Sequence, residues 1–284
     1  MTRYLITGAT GMLGSELVGA LAGREVTAAP RDVLDITDDL AVDAAVRGHD
    51  VVINCAAWTA VDAAEDHEEE ARKINALGPE LLARAANRSG ATLVTISTDY
   101  VFDGQGTSPY PEDTPRDPVS AYGRTKAEGE ERAIAANPDG TIIVRTAWLY
   151  GEHGPNFVKT MLRLAGERET LTVVDDQVGQ PTWAKDLAEK IVELLDAGVS
   201  SGIFHGTGSG QTSWWGFARA IFAEAGLDPQ RVQPVDSSAF PQKAKRPAYS
   251  VLGHDAWSRV GLEPMRNWAD ALAEATADGV MGPR

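Results

Sequence analysis

The chain of 284 residues contains one cysteine, Cys55, so no intrachain disulfide can form. Its setting, VVINCAA, reads as a buried strand end, and this usage favours a reducing compartment. No Cys/His cluster has zinc spacing, and the five histidines show no metal-ligand pattern. No apolar run approaches the roughly 18–20 residues of a membrane span. The start, MTRYLITGAT, lacks the charged stretch and apolar core of a secretion signal, so the expectation is a cytoplasmic protein. Basic residues are scarce: 26 Lys and Arg against 41 Asp and Glu give a net charge of −15. Nucleic acids and anionic membranes require a positive field that this chain supplies only in patches, which argues against both as partners. Internal repeats and low-complexity tracts are also missing.

What is present is material for a large core, with 43% hydrophobic residues. From residue 1 to about 150, short apolar runs alternate with amphipathic stretches: RYLIT then MLGSELVGALAG, EVTAA then DITDDLAVDAAVRG, DVVINCAA then a long segment through LLARAANRSG. TLVTIS, AYGRTKAEGEERAIAAN and TIIVRTAWL continue the series. Strands rich in Val, Ile and Leu, each followed by helical periodicity, predict a doubly wound parallel α/β sheet of the Rossmann type. Residues 1–150 are expected to form the dinucleotide-binding domain, with part of 171–206 returning to it. Residues 151–284 are expected to form mainly a smaller, irregular α/β substrate domain, because Gly, Pro, Trp and Ser cluster in DDQVGQPTW, GTGSGQTSWW and AFPQKAKRPAYS. The acidic run at residues 64–73, AEDHEEEARK, reads as a solvated helix start.

The first strand runs into GATGMLGSEL, which places Gly8, Gly11 and Gly14 at the strand-to-helix turn. Glycine lets a pyrophosphate approach the backbone there, and the helix N-terminus supplies free N–H groups. Gly8, Thr10, Gly11, Met12 and Leu13 are therefore candidate cofactor contacts. An acid that binds the adenosine ribose is expected about 20 residues further on, but Pro30 and Arg31 occupy that place. A guanidinium without a carboxylate suits a 2′-phosphate and points to NADP(H), while Asp32 or Asp35 keeps NAD(H) open. Asp35 and Ile36 are placed to cover the adenine, or LDIT simply caps the next helix.

INCAAWTAVDAAE follows the third strand and ISTDYVFDG the fourth, so both sit at the carboxyl edge where such sheets bind ligands. AYGRTK puts Tyr122 and Lys126 on one helical face with Cβ atoms about 5–6 Å apart. An ammonium beside a phenol is expected to lower the tyrosine pKa from about 10, and the Thr98 hydroxyl stands ready to hold a substrate oxygen. Alone, YxxxK is common and carries little information.

Together, GxxGxxG, NCAA, STD and YxxxK resemble the short-chain dehydrogenase/reductase superfamily in its extended, nucleotide-sugar branch. ISTDYVFDG, SAYGRTKAEGE, RTAWLYG, NFVKTML, DDQVGQPTW, GSGQTSW and KRPAYSVL are similar to segments of the dTDP-4-dehydrorhamnose reductase family and span nearly the whole chain. The resemblance implies hydride transfer from NADPH to the C4 keto group of dTDP-4-dehydro-L-rhamnose. It implies Thr98, Tyr122 and Lys126 as the catalytic set, with Tyr122 and Lys126 also on the cofactor. It further implies Gly11, Met12, Leu13, Ala56 and Ala57 as cofactor contacts, Asp99, Tyr100 and Trp148 at the sugar, and Gln177, Pro181 and Thr182 along the substrate cleft. Related dehydratases carry an Asp-Glu pair after the threonine, whereas here Asp99 is followed by Tyr100, which argues against dehydration.

Lys243, Lys245 and Arg246 in QKAKRP form a basic cluster with few rivals in the chain, and Arg246 can grip a phosphate through its planar fork. Trp214 and Trp215 read as core anchors of a helix start. Some family members are magnesium-dependent dimers, and Glu16 matches one ligand position while its partners do not align, so no metal site is assigned. A homodimer is plausible on general grounds. Two alternatives stand: another nucleotide-sugar reductase or epimerase, and a non-catalytic binding protein similar to the regulatory subunit of methionine adenosyltransferase. Retention of Thr98, Tyr122 and Lys126 favours catalysis.

Overall fold

Strand β1 (Arg3–Thr7) runs directly towards helix α1 (Met12–Ala20), and β2 (Glu25–Ala29), α2 (Asp39–Val46) and β3 (Val51–Asn54) repeat the unit, in a computed structural model that describes residues 1–280. Two short helices, α3 (Val61–Ala64) and α4 (Glu68–Arg72), pass through a π-helical turn at Lys73–Leu77 into α5 (Gly78–Ser89). Then come β4 (Thr92–Thr98), α6 (Ala121–Ala136), β5 (Thr141–Thr146), β6 (Leu149–Tyr150) and α7 (Phe157–Glu167). The chain continues through β7 (Leu171–Val174), β8 (Val178–Gly179), β9 (Thr182–Trp183), α8 (Ala184–Asp196) and β10 (Gly202–His205). It ends with β11 (Thr212–Ser213), α9 (Trp214–Glu224), β12 (Val232–Val235), α10 (Asp255–Arg259) and α11 (Trp268–Ala277).

Six strands pair in the order β10-β5-β4-β3-β1-β2, all parallel. Strands covered on both faces carry apolar residues at consecutive positions, as in Val51, Val52 and Ile53 of β3, all buried. One face packs Ile6, Ile53, Val94 and Val144 against Leu13 and Leu17 of α1 and Leu187 and Ile191 of α8. The other packs Leu5, Val52 and Leu93 against Val42 and Val46 of α2 and Leu81 and Leu82 of α5. The strand order reverses between β1 and β3, and the crevice at such a switch point is where open α/β sheets bind ligands.

A second core joins Val158 and Met161 of α7, Phe217 and Phe222 of α9, and Leu272 of α11 to the parallel pair β7–β12. Trp257 of α10 packs into the first core and donates its indole N–H to the His205 carbonyl at 2.8 Å, so a late segment helps close the sheet.

Candidate active site

The glycine turn is dictated by crowding. Gly8 has φ 64°, and a Cβ there would lie 2.7 Å from the Ala56 nitrogen. A Cβ on Gly14 would lie 2.3 Å from the Gly8 carbonyl oxygen, so α1 can seat on the turn only without side chains at these points. Gly11 is the N-cap of α1 and offers no side-chain cap, leaving the backbone N–H groups of the first turn for an anion. Thr10, Gly11, Met12, Leu13, Ala56 and Ala57 line one wall of a cleft of about 630 Å³. This cradle has the shape and polarity that a dinucleotide pyrophosphate takes.

Beyond the turn, a cavity of about 460 Å³ is lined by Gly8, Arg31, Asp35 and Ile36, and also by Trp58 and Lys73. Arg31 and Asp35 are exposed and Ile36 is buried. Asp35 accepts the backbone N–H of Thr37 at 2.9 Å and its hydroxyl at 2.7 Å, which holds its carboxyl below the usual range. The cap of α2 is Asp38, which accepts the N–H groups of Leu40 and Ala41.

The same cleft is lined by Thr98, Asp99, Tyr100, Tyr122, Lys126 and Trp148. Thr98 ends β4, and its hydroxyl donates to Asp99 Oδ1 at 2.9 Å and accepts the Tyr100 N–H at 3.2 Å. Tyr122 and Lys126 lie in the first turns of α6. The Ser120 hydroxyl caps that helix on the Gly123 N–H at 3.1 Å, and Glu65 Oε1 accepts the Ala121 N–H at 2.8 Å. Asn75 in the π-helical turn bonds the backbone of Trp58 and donates to the Thr125 hydroxyl at 3.1 Å, and that hydroxyl donates to the Tyr122 carbonyl at 2.9 Å. One turn past Lys126, buried Glu130 pairs with Arg145 of β5 at 2.7 Å. The helix is thus fixed at its start, flank and middle.

Lys126 Nζ donates to the Ile96 carbonyl at 2.6 Å. Burial pushes its pKa down to about 8, with Glu130 opposing the fall. Tyr122 departs from the expected lowering: burial pushes its phenol above its usual value, Asp99 and Tyr100 add to the rise, and the Thr98 hydroxyl opposes it. The reason is that helical spacing fixes where the Cβ atoms of positions 122 and 126 lie, while the lysine head is drawn to the end of β4. Burial also raises the Asp99 carboxyl to about 6, offset by the Ser250 and Thr98 hydroxyls, and the Cys55 thiol to about 12.

Tyr100 is also part of a second cavity of about 350 Å³, lined among others by Phe157, Gln177, Trp214, Gln242 and Arg246. Its ring meets Tyr122 edge to face, with centroids 5.7 Å apart. Trp148, in the left-handed region at φ 47°, stacks on Trp214 with centroids 3.6 Å apart and planes 12° from parallel. Trp214 is therefore a cleft wall as well as the core anchor expected, whereas Trp215 packs under Arg219 and donates its indole N–H to the Val232 carbonyl.

Pro181 and Thr182 are not brought to either part of the cleft. Thr182 belongs to β9, which pairs with β6, and its buried hydroxyl serves the Gly208 N–H and the Gln180 carbonyl instead. The acidic run at 64–73 is docked on α6 through Glu68–Arg124 at 2.7 Å and Arg72–Glu128 at 2.8 Å, not simply solvated. Glu16 lies where burial raises its carboxyl pKa, with His153 and Lys185 opposing that rise.

A parallel sheet with a glycine cradle at its first crossover, and Thr98, Tyr122 and Lys126 gathered at its carboxyl edge, defines the extended class of short-chain dehydrogenases/reductases. More narrowly, the chain belongs to the family described as the RmlD substrate binding domain, whose family model matches residues 2–281. It is 50% identical over 277 residues to a dTDP-4-keto-6-deoxy-D-glucose reductase of Streptomyces niveus, covering 96% of each chain. It is 50% identical over 281 residues to a dTDP-4-dehydrorhamnose reductase of Streptomyces griseus, covering 96% of this chain and 92% of the relative. Among solved structures, a dTDP-4-dehydrorhamnose reductase of Bacillus anthracis in complex with NADP superposes with a TM-score of 0.94 at 38% identity, over 98% of this chain and all of the other.

Proposed function

We propose that this protein is an NADPH-dependent reductase acting on the C4 keto group of dTDP-4-dehydro-L-rhamnose to give dTDP-L-rhamnose. The observation that carries this reading is that Thr98, Tyr122 and Lys126 line one cleft with the glycine cradle, with a second cavity also lined by Tyr100. The Streptomyces griseus relative is named for this reaction, and the Streptomyces niveus relative for reduction of another dTDP-linked keto sugar. Arg31 and Lys73 at the adenosine end, with no acid closing β2, suit a 2′-phosphate.

When bound, NADPH supplies a hydride to the carbonyl carbon. The remaining work belongs to the protein. Tyr122, kept protonated by burial, gives its proton to the C4 oxygen as negative charge develops there. Thr98, in the same cleft, turns its hydroxyl from Asp99 Oδ1 to that oxygen and aligns it. Lys126, tethered to the Ile96 carbonyl, presents its ammonium to the nicotinamide ribose. Asp99, Tyr100 and Trp148 border the space for the sugar, and Arg246 and Gln177 the space for the nucleotide diphosphate.

The test is steady-state turnover of dTDP- and UDP-linked 4-keto-6-deoxysugars with NADPH and NADH. The sugars include dTDP-4-keto-6-deoxy-D-glucose, because the Streptomyces niveus relative is named for it. The expected result is the highest kcat/KM for dTDP-4-dehydro-L-rhamnose with NADPH. No consumption of reduced cofactor with any of these sugars overturns the proposal.

A further inference from the structure

Arg246 borders the second cavity, yet its guanidinium is already engaged. Nη2 donates to Asp62 Oδ2 at 2.6 Å, Nε donates to Gln242 Oε1 at 2.5 Å, and Nη1 points to the Tyr100 hydroxyl at 3.4 Å. The Nε–Nη2 edge of the fork, the edge that takes an anion in bidentate fashion, is filled by a carboxylate and an amide. The Arg246 side chain is 16% exposed, while Asp62 is 45% exposed on α3. The Asp62 carboxylate makes one further contact, accepting the Ala244 N–H through Oδ1 at 2.9 Å. Lys243 pairs with Asp66 just beyond α3. Two carboxylates thus fold the 243–246 loop of the substrate side onto the cofactor side.

We propose that Asp62 is a positioning residue of the phosphate site: a resident carboxylate that occupies the anion-binding edge of Arg246, holds the guanidinium in place and yields the edge to an incoming phosphoryl group. This inference rests on the reading of the cleft as a nucleotide-sugar site. A mostly buried guanidinium left without a counter-ion is costly, so Asp62 keeps Arg246 ordered when the cavity is open. An incoming phosphoryl group must outcompete it. A diphosphate brings more charge and more acceptor oxygens than a monophosphate, so it displaces the carboxylate more completely. Displacing the carboxylate is a fixed cost, borne in full by a ligand that takes the Arg246 edge and only in part by one that leaves Asp62 in place, so it lowers affinity for a diphosphate at least as much as for a monophosphate.

The experiment compares the binding of dTDP and dTMP by titration calorimetry to the wild-type protein, Asp62→Asn and Arg246→Gln, with NADPH titrated as a reference. Asparagine keeps an oxygen for the Ala244 N–H but loses the charge that holds Arg246, and Asp62→Ser repeats the test with a shorter side chain. The expected result is dTDP binding about two- to fivefold tighter in the Asp62 variants, the scale of a partly exposed ion pair. The gain for dTMP should be no larger than that for dTDP, and NADPH affinity should stay within about twofold of wild type. Unchanged or weaker dTDP binding in both Asp62 variants, with Arg246→Gln impaired, overturns the role of Asp62 alone. Wild-type dTDP affinity in Arg246→Gln removes the phosphate site itself, and with it this inference. Failure of the reductase reading is seen separately, as absence of turnover by the wild-type protein.

Discussion

Glu65 accepts the backbone N–H of Ala121 across 56 residues of sequence, at 2.8 Å, and so holds the first turn of the helix that carries Tyr122. That N–H has no partner within its own helix, and a negative charge at this end also suits the helix dipole. Glu65→Ala is expected to cost about 1 kcal/mol of stability, the usual value of a lost cap. It is also expected to lower kcat several-fold with little change in KM for NADPH, because the phenol and not the glycine turn is displaced. Glu65→Gln, which keeps the acceptor oxygen, should restore most of both. Thermal unfolding together with steady-state kinetics measures the two effects.

That contact shows where sequence reasoning reaches and where it stops. The glycine turn, the strand ends at Thr98 and Asp99 and the YxxxK pair were legible because local spacing alone places them on a strand-turn-helix unit. The clasp between the 64–73 segment and α6 was not, because EEEAR satisfies an exposed helix equally well whether or not Arg124 and Glu128 lie opposite it. The place of Thr182 was not legible for a related reason: both residues of β9 are buried, and only the pairing with β6 and the arrival of Gly208, 26 residues on, decide what its hydroxyl meets. Asp62 left no signal at all, since its partner lies 184 residues away.

Arg31 and Lys73 line the same cavity beyond the glycine turn. Arg31→Ala is expected to raise KM for NADPH about three- to tenfold, the loss of one charge-assisted phosphate contact, and to leave KM for NADH nearly unchanged. Equal changes for both cofactors would place Arg31 away from the 2′-phosphate. Parallel kinetics with the two reduced cofactors distinguish these outcomes.

The pH profile should show two limbs. Asp99, raised to about 6, is protonated below that pH and gains its charge as pH rises through it. Lys126, lowered to about 8, loses its ammonium above that pH. A site that needs the Asp99 carboxylate to accept sugar hydroxyls and the Lys126 ammonium to hold the ribose is most active between the two values. Measured kcat/KM should therefore rise through about pH 6 and fall through about pH 8. Asp99→Asn should remove the acid limb, at reduced activity, and leave the alkaline limb in place.

The central claim is that the Tyr122 phenol delivers the proton that completes carbonyl reduction. Its most direct test is the rate of NADPH oxidation by Tyr122→Phe with saturating dTDP-4-dehydro-L-rhamnose, set beside the affinity of the same variant for NADPH. The predicted result is a turnover lower by roughly 10²–10⁴-fold, the usual general-acid contribution, with NADPH affinity within about twofold of wild type. Wild-type turnover in Tyr122→Phe would contradict the account.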